Sequence, residues 1–474
     1  MTFIQLAIFT AANLIAGMLT RTRLRVWILM TASLVLIYWL QPASPVRHLD
    51  FWLPTATLGL VLVVYGITRP VPRRFERSDL PAALTVAITV SLIAGMRYLS
   101  PICCLTPTPP PVFVQVLVGL LIWAALVALA YFTAGRKAAS AAAAVLIVLA
   151  FLFLKNETLG AWASAVLRSF TGQNTALAKP GDLAWLGYSY VAFRLLHVIL
   201  DYRAGRLGQE FALDEFITYA IFFPAYAAGP IDRVQRFSAD LRRAERLDPP
   251  RFTDGMTRLL VGVFKKFALA DTLALMALSP LNAGQLQSSG WAWVVVYAYA
   301  LRIYFDFAGY TDIAIGLGLL AGVRLPENFN RPYRQPNLTV FWNNWHITLT
   351  QWFRGYFFNP LTRSLRSSKR KVSVPVIIFV TQLATMGLIG LWHGISWNFL
   401  AWGLWHGLGL FVHNRWREWA GPRLALETRP AAVQKALTFF GWALTFNFVA
   451  LGWLWFALPA PEQSVSVFKL LFGF

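Results

Sequence analysis

Charge is scarce in this chain and cysteine nearly absent. Only 13% of its 474 residues are Asp, Glu, Lys or Arg, while 57% are hydrophobic, which excludes an ordinary soluble globule. No interval the size of a soluble domain separates the apolar stretches, so a single membrane domain over 1–474 is expected. Acidic residues number 21 against 42 basic ones. In a soluble protein that excess would suggest nucleic acid, but here the Arg and Lys sit in short connections, the positive-inside signal of a polytopic protein. No basic face with its own fold is left to bind nucleic acid. The two cysteines, Cys103 and Cys104, are neighbours, a spacing that suits neither a disulfide framework nor a zinc site. HExxH, CxxC, GxSxG and P-loop patterns are missing, which removes the usual zinc, redox, serine-hydrolase and NTPase signatures. No bound metal is expected.

What is present is a series of apolar runs near the roughly 20 residues that a spanning helix needs. Ten to twelve are expected in an all-α bundle, the first six at about Phe3–Thr20, Val26–Leu40, Phe51–Thr68, Leu80–Tyr98, Val112–Phe132 and Ala139–Leu154. The N-terminus lacks a basic leader and reads as a retained first helix. Connections at Arg21–Arg25, Arg69–Asp79 and Gly135–Lys137 are basic and the intervening loops nearly free of positive charge, so the N-terminus is predicted outside. Leu159–Phe170 reads as an interfacial amphipathic piece, ended by GQNTALAKPGD.

Further on, charges enter the apolar runs. Arg194 and His197 lie in Leu183–Leu200, with Asp201 at its exit; a snorkelling arginine and a hydrogen-bonded core histidine are expected. Pro224 and Gly229-Pro230 interrupt Phe216–Phe237, which suggests a re-entrant piece, and Ser238–Arg251 reads as a solvated surface helix. Lys265 and Lys266 in the run Gly255–Leu281 are expected to snorkel. In the run Trp291–Gly322, Arg302 and Asp306 are four residues apart and predict an ion pair on one helix face, with Asp312 pointing elsewhere.

Polar chemistry concentrates between Pro326 and His413. PENFNRPYRQPN contains three prolines that forbid a regular helix, and FWNNWHITLTQWFRGYFFNPL (Phe341–Leu361) follows. A continuous helix there would put Trp342 and Thr350 on the face of His346, one turn to either side. His393 and His406 each sit in an LWHG tetrad, thirteen residues apart. On one helix they would point about 140° apart, so only one can line a small pocket unless the helix breaks. An ionisable residue in such surroundings is a functional candidate, and a neutral histidine suits proton abstraction from a hydroxyl. A proton-coupled transporter, the rival class, would show internal repeats with paired broken helices, and no second copy is found.

Five pieces carry a family resemblance: FFPAYAAGPIDRVQRF, GVFKKFALAD, AYALRIYFDFAGYTDIAIGLGLLAGVRLPENFNRPYR, FWNNWHITLTQWFRGYFFNPL and GLWHGISWNFLAWGLWHG. With them the chain resembles the membrane-bound O-acyltransferases, in the bacterial branch of alginate O-acetyltransferases and the D-alanyl-transfer protein of teichoic acid modification. The resemblance covers roughly Leu183–His413; earlier residues match only in hydropathy. It implies a bundle with re-entrant and horizontal helices around a central tunnel, with peripheral spans in 1–182, a catalytic core in 183–413 and a C-terminal span in 414–474. His393 would be the catalytic histidine and His346 its partner. Trp342, Asn343, Trp345, Thr350, Trp392, Asn398 and His406 would contact substrate or donor. Asn344 and Gly355 depart from the arginine and aspartate of many relatives.

The activity implied is acyl transfer from a thioester to a hydroxyl, with His393 as base and His346 polarising the donor carbonyl. No tightly bound cofactor is expected. The donor would be acetyl-coenzyme A or an acyl-phosphopantetheine carrier protein, with its phosphates near Arg363, Arg366, Lys369, Arg370 and Lys371. The acceptor would be an exported polysaccharide such as alginate or cellulose, served by periplasmic acetyl-transfer proteins, at a bacterial inner membrane. D-alanyl transfer to teichoic acid is the alternative.

Overall fold

A computed structural model describes residues 2–19, 22–69, 78–99, 103–208, 211–243, 247–368, 372–424 and 429–474. Among them every regular element is helical, as the apolar runs predict. The basic residues at 70–77 and 369–371 lie outside the described set. The chain divides into two compact units, residues 1–260 with 312–326, and residues 261–311 with 327–474.

The first unit begins with α1 (Phe3–Met18), α2 (Thr22–Leu40), α3 (Leu49–Ile67), α4 (Leu80–Gly95), α5 (Phe113–Phe132) and α6 (Lys137–Lys155). The apolar stretch of α3 is 72% buried and that of α5 only 11%, so α3 is the centre and α5 a lipid-facing wall. Next come α7 (Glu157–Phe170), capped by the Asn156 side chain, α8 (Tyr188–Arg203), α9 (Leu213–Ile221), α10 (Val234–Arg242) and most of α11 (Pro249–Val263). Cys103 and Cys104, expected unpaired, are bonded to each other; a bond between neighbours ties no two elements together.

Several charges behave differently from expectation. Arg194 does not snorkel. It is buried, and its guanidinium donates to the carbonyls of Ala220 (3.0 Å) and Ala225 (2.7 Å), ending α9 and the short turn after it. The last carbonyls of a helix have no partners within it, and a buried guanidinium satisfies them here. His197 is the expected core histidine, with the Val234 amide donating to Nε2 at 3.4 Å and Asp201 beside Nδ1 at 3.5 Å. The interrupted run Phe216–Phe237 is broken between α9 and α10 and buried along Phe216–Tyr226. The expected surface helix Ser238–Arg251 stops at Arg242, where Arg25 donates to the carbonyls of Asp240, Leu241 and Arg243. Asp312 does face elsewhere, toward Arg258 (2.6 Å).

The second unit holds a π-helical turn (Phe264–Ala270), α12 (Asp271–Ala274) and most of α13 (Ser289–Leu320). After the proline-rich loop come α14 (Leu338–Asn344), α15 (Ile347–Phe353), α16 (Asn359–Arg366), α17 (Val374–His393), α18 (Trp397–Leu424), α19 (Ala431–Ala457) and α20 (Pro461–Leu471). Asp306 pairs with Lys266 at 2.5 Å rather than with Arg302. The π turn brings this about: Gly309 lets the backbone at Lys266 come so close that an added Cβ would lie 2.7 Å from its nitrogen.

Eight described helices are long and apolar enough to cross a membrane: α2 to α6, α13, α17 and α19. The higher sequence count included three stretches that fall short. α1 has 16 residues, about 24 Å at ~1.5 Å per residue. α8 also has 16 and carries Arg194 and Asp201, and the run Gly255–Leu281 is split by the π turn.

Candidate active site

The three histidines of interest all belong to the second unit, and the local chain path explains each position. His346 is not inside a helix. Helix formation stops at Asn344 and resumes at Ile347, leaving His346 with φ +43° in the left-handed region. That conformation costs an L-residue roughly 1–2 kcal/mol and survives only where the surroundings impose it. Here the extended proline-rich loop imposes it. Phe329 bridges Trp345, the Asn330 amide donates to the Asn344 carbonyl (3.1 Å), and the Ile347 amide donates to the Asn328 carbonyl (2.9 Å). The expected shared face of Trp342, His346 and Thr350 is therefore absent.

The side chain of Asn328 completes this grip. Its Oδ1 accepts from the Thr348 amide (3.2 Å) and hydroxyl (2.9 Å), and His346 Nδ1 lies 3.1 Å from the same oxygen. Asn328 and His346 are both buried, and His346 Nε2 has no hydrogen-bond partner among the described residues. Phe307 packs edge-on against the imidazole at 4.7 Å.

His393 ends α17, and the chain turns through Gly394–Ser396 into α18. The helix break left open by the sequence is therefore real. α17 and α18 touch backbone to backbone: a Cβ on Gly390 would lie 2.1 Å from the Phe399 carbonyl oxygen, and one on Gly403 2.3 Å from that of Met386. Because the two LWHG tetrads lie on different helices, both histidines reach one aromatic cluster. Trp402 is 5.4 Å from the His393 ring and 5.1 Å from the His406 ring. Trp392 joins the other pair, 4.5 Å from His393 and 6.3 Å from His346. α19 closes the cluster with Phe456 on His393 (4.8 Å) and Phe448 on His406 (5.8 Å), although it lies beyond the core boundary expected at 413.

The three histidines differ in access. His393 is half-buried, and His406 is fully buried with no partner for either ring nitrogen among the described residues. Gly452 stands against it, so that an added Cβ would be 2.8 Å from Nε2. Of the other residues expected at the site, Trp342 packs on His406 (5.1 Å), and its buried Nε1 has no partner among the described residues. Trp345 lies within Phe329, Tyr333 and Trp453. Thr350 turns its hydroxyl back to the Trp345 carbonyl (3.4 Å). Asn343 is exposed and accepts from Arg354 (2.5 Å). Asn398 is buried, its Nδ2 tethering the Leu458 carbonyl (2.6 Å) and the Ser464 hydroxyl (3.2 Å). Arg363 and Arg366 end α16, and Lys369, Arg370 and Lys371 lie outside the described residues. An open cleft of about 560 Å³ lies among Arg334, Gln434, Lys435, Thr438, Phe439 and Trp442, and holds none of these site residues.

Sequence reasoning missed Asn328, Phe307 and the α19 aromatics. Asn328 lay in a loop already marked as irregular, but nothing local tied it to a histidine 18 residues later.

Comparison with known proteins gives the chain a family. The family model for MBOAT, membrane-bound O-acyltransferase family, matches residues 148–451. A teichoic acid D-alanyltransferase of Streptococcus thermophilus is 33% identical over 285 residues, 58% of this chain and 68% of that protein. A probable alginate O-acetylase of Pseudomonas putida is 34% identical over 293 residues, 61% of this chain and 55% of the relative. A peptidoglycan O-acetyltransferase of Helicobacter pylori is 34% identical over 269 residues, 56% and 48% of the two chains. The chain thus spans about two thirds of the first relative and about half of the others. The matched region contains all three histidines, and the chain belongs to the membrane-bound O-acyltransferase family, as a multi-pass membrane acyltransferase.

Proposed function

We propose that this protein moves an acyl group, most simply acetyl, from a cytoplasmic thioester to hydroxyls of an exported polysaccharide of the alginate or cellulose kind. The observation that carries this reading is the ring-linked pair His346 and His393, with one nitrogen of His346 buried and without a partner among the described residues. A buried imidazole nitrogen without a protein partner is suited to a substrate proton. In the reaction the acceptor hydroxyl loses its proton to one histidine, its oxygen attacks the thioester carbonyl, the C–S bond breaks, and the proton passes to the leaving sulfur. The aromatic walls keep competing water out of the reacting centre. The donor is acetyl-coenzyme A or an acyl-phosphopantetheine carrier protein. The enzyme works in a bacterial inner membrane with its N-terminus outside, and it transfers the group directly or through a periplasmic partner.

D-alanyl transfer to teichoic acid is the second reading. It is favoured by the similarity to the Streptococcus thermophilus D-alanyltransferase, which matches this chain as closely as the alginate O-acetylase does. Incubation of purified membranes with radiolabelled acetyl-coenzyme A, acetyl-carrier protein or D-alanyl-carrier protein separates the readings. Acetyl label in polysaccharide, lost in His393→Ala and His346→Ala at matched expression, supports the first. Label from D-alanyl-carrier alone overturns it in favour of the second. Full activity in both variants removes the proposed site.

A further inference from the structure

We infer that Asn328 is a positioning residue that holds His346 with its proton on Nδ1 and so leaves Nε2 as a hydrogen-bond acceptor. The inference rests on the acyl-transfer reading for its chemistry, and on the hydrogen bonds around Asn328 for its geometry.

A side-chain amide offers one oxygen that only accepts and one nitrogen that only donates, and which is which must be settled from the partners. Here the partners settle it. The Thr348 amide can only donate, and it points at Asn328 Oδ1 from 3.2 Å. Exchanging the two amide atoms would set a donor against that backbone N–H in a buried place. The atom in contact with Thr348 is therefore the oxygen, and His346 Nδ1, 3.1 Å from the same atom, must carry a hydrogen to make a bond. A neutral imidazole with its proton on Nδ1 has a bare lone pair on Nε2. That nitrogen is the one with no partner among the described residues.

Two conclusions follow. A neutral His346 cannot polarise the donor carbonyl as the sequence suggested, because Nε2 has no hydrogen to donate. Its Nε2 can accept a hydrogen bond from the acceptor hydroxyl, while the Nδ1–H bond to Asn328 keeps the ring aimed at it. The backbone clamp adds direction. The Asn328 carbonyl takes the Ile347 amide, so one residue grips 346, 347 and 348 together and fixes both the tautomer and the aim of the ring. Orientation of an imidazole by the group on its other nitrogen is a general device of acid–base sites.

The test reads the tautomer directly. Full-length protein labelled with 15N-histidine, in detergent or nanodiscs, is compared with His346→Ala to isolate the His346 signals. Wild type is expected to show a protonated Nδ1 and an unprotonated Nε2. Asn328→Leu is expected to lose that pattern in favour of a proton on Nε2, with kcat for transfer down about 100-fold or more and KM for the donor within about threefold. Asn328→Asp keeps an acceptor at the same place, so the wild-type pattern is expected to persist with far more activity than in Asn328→Leu. This variant also covers the case in which Asn328→Leu fails to fold. A wild-type spectrum with the proton on Nε2, or an Asn328→Leu protein that keeps pattern and kcat, overturns the inference. Equal loss of kcat in Asn328→Leu and Asn328→Asp, with the Nδ1–H pattern intact in both, also overturns it. Absence of transfer by wild type with every donor defeats the acyl-transfer reading while the spectrum still decides the tautomer.

Discussion

The two LWHG tetrads have the same four letters and opposite surroundings. In Leu391–Gly394 the tetrad ends a helix, and its histidine is half-buried beside a chain turn. In Leu404–Gly407 it lies within α18, and its histidine is sealed among Trp342, Trp402, Phe448 and Trp453. Accessibility here is set by where the helix stops. Gly394 takes extended backbone against the Phe399 ring, whereas Gly407 continues a helix packed against Leu383.

The contrast can be broken most severely by forcing α17 and α18 apart. Gly390→Leu drives a side chain into the Phe399 carbonyl, a backbone atom that cannot swing away. A loss of ~3 kcal/mol or more is expected, seen as little folded protein in size-exclusion of detergent extracts. Next is the chemistry. His393→Ala is expected to lower transfer by about 100- to 10,000-fold with its melting temperature within a few degrees of wild type. An equal loss in His406→Leu would erase the distinction between the tetrads. Gly394→Ala places a Cβ 2.6 Å from the Phe399 ring, which itself stacks on His393 at 6.0 Å. It is expected to cost about 1–3 kcal/mol and to reduce transfer more than Gly407→Ala does. The smallest effect belongs to His406→Leu. It removes two buried nitrogens without partners among the described residues, so thermal stability should stay level or rise by about 1 kcal/mol.

The features that were legible in the sequence are those with a local cause. Long apolar runs became helices, and Pro224 with Gly229-Pro230 broke the stretch between α9 and α10. The three histidines stood out because ionisable groups are rare in such surroundings. What stayed hidden depends on partners distant in sequence. The kink at His346 is imposed by Asn328, Phe329 and Asn330; the tryptophan-rich segment alone reads as one helix. Asp306 had a partner at helix spacing in Arg302, and the π turn supplied a better one in Lys266. The aromatics of α19 carried no periodic signal that linked them to His393.

Arg194 has a consequence for how the protein is made. A central arginine makes insertion of a single helix unfavourable by about 2.5–3.5 kcal/mol, and Arg194 lies near the middle of α8. The carbonyls that satisfy Arg194 belong to Ala220 and Ala225, 26 and 31 residues later in the chain. At roughly 5–20 residues per second, a ribosome reaches Ala225 a few seconds after Arg194. During that interval the carbonyls of Ala220 and Ala225 are not yet there to receive its guanidinium. The burial of Arg194 between these carbonyls therefore waits for α9 and the turn after it.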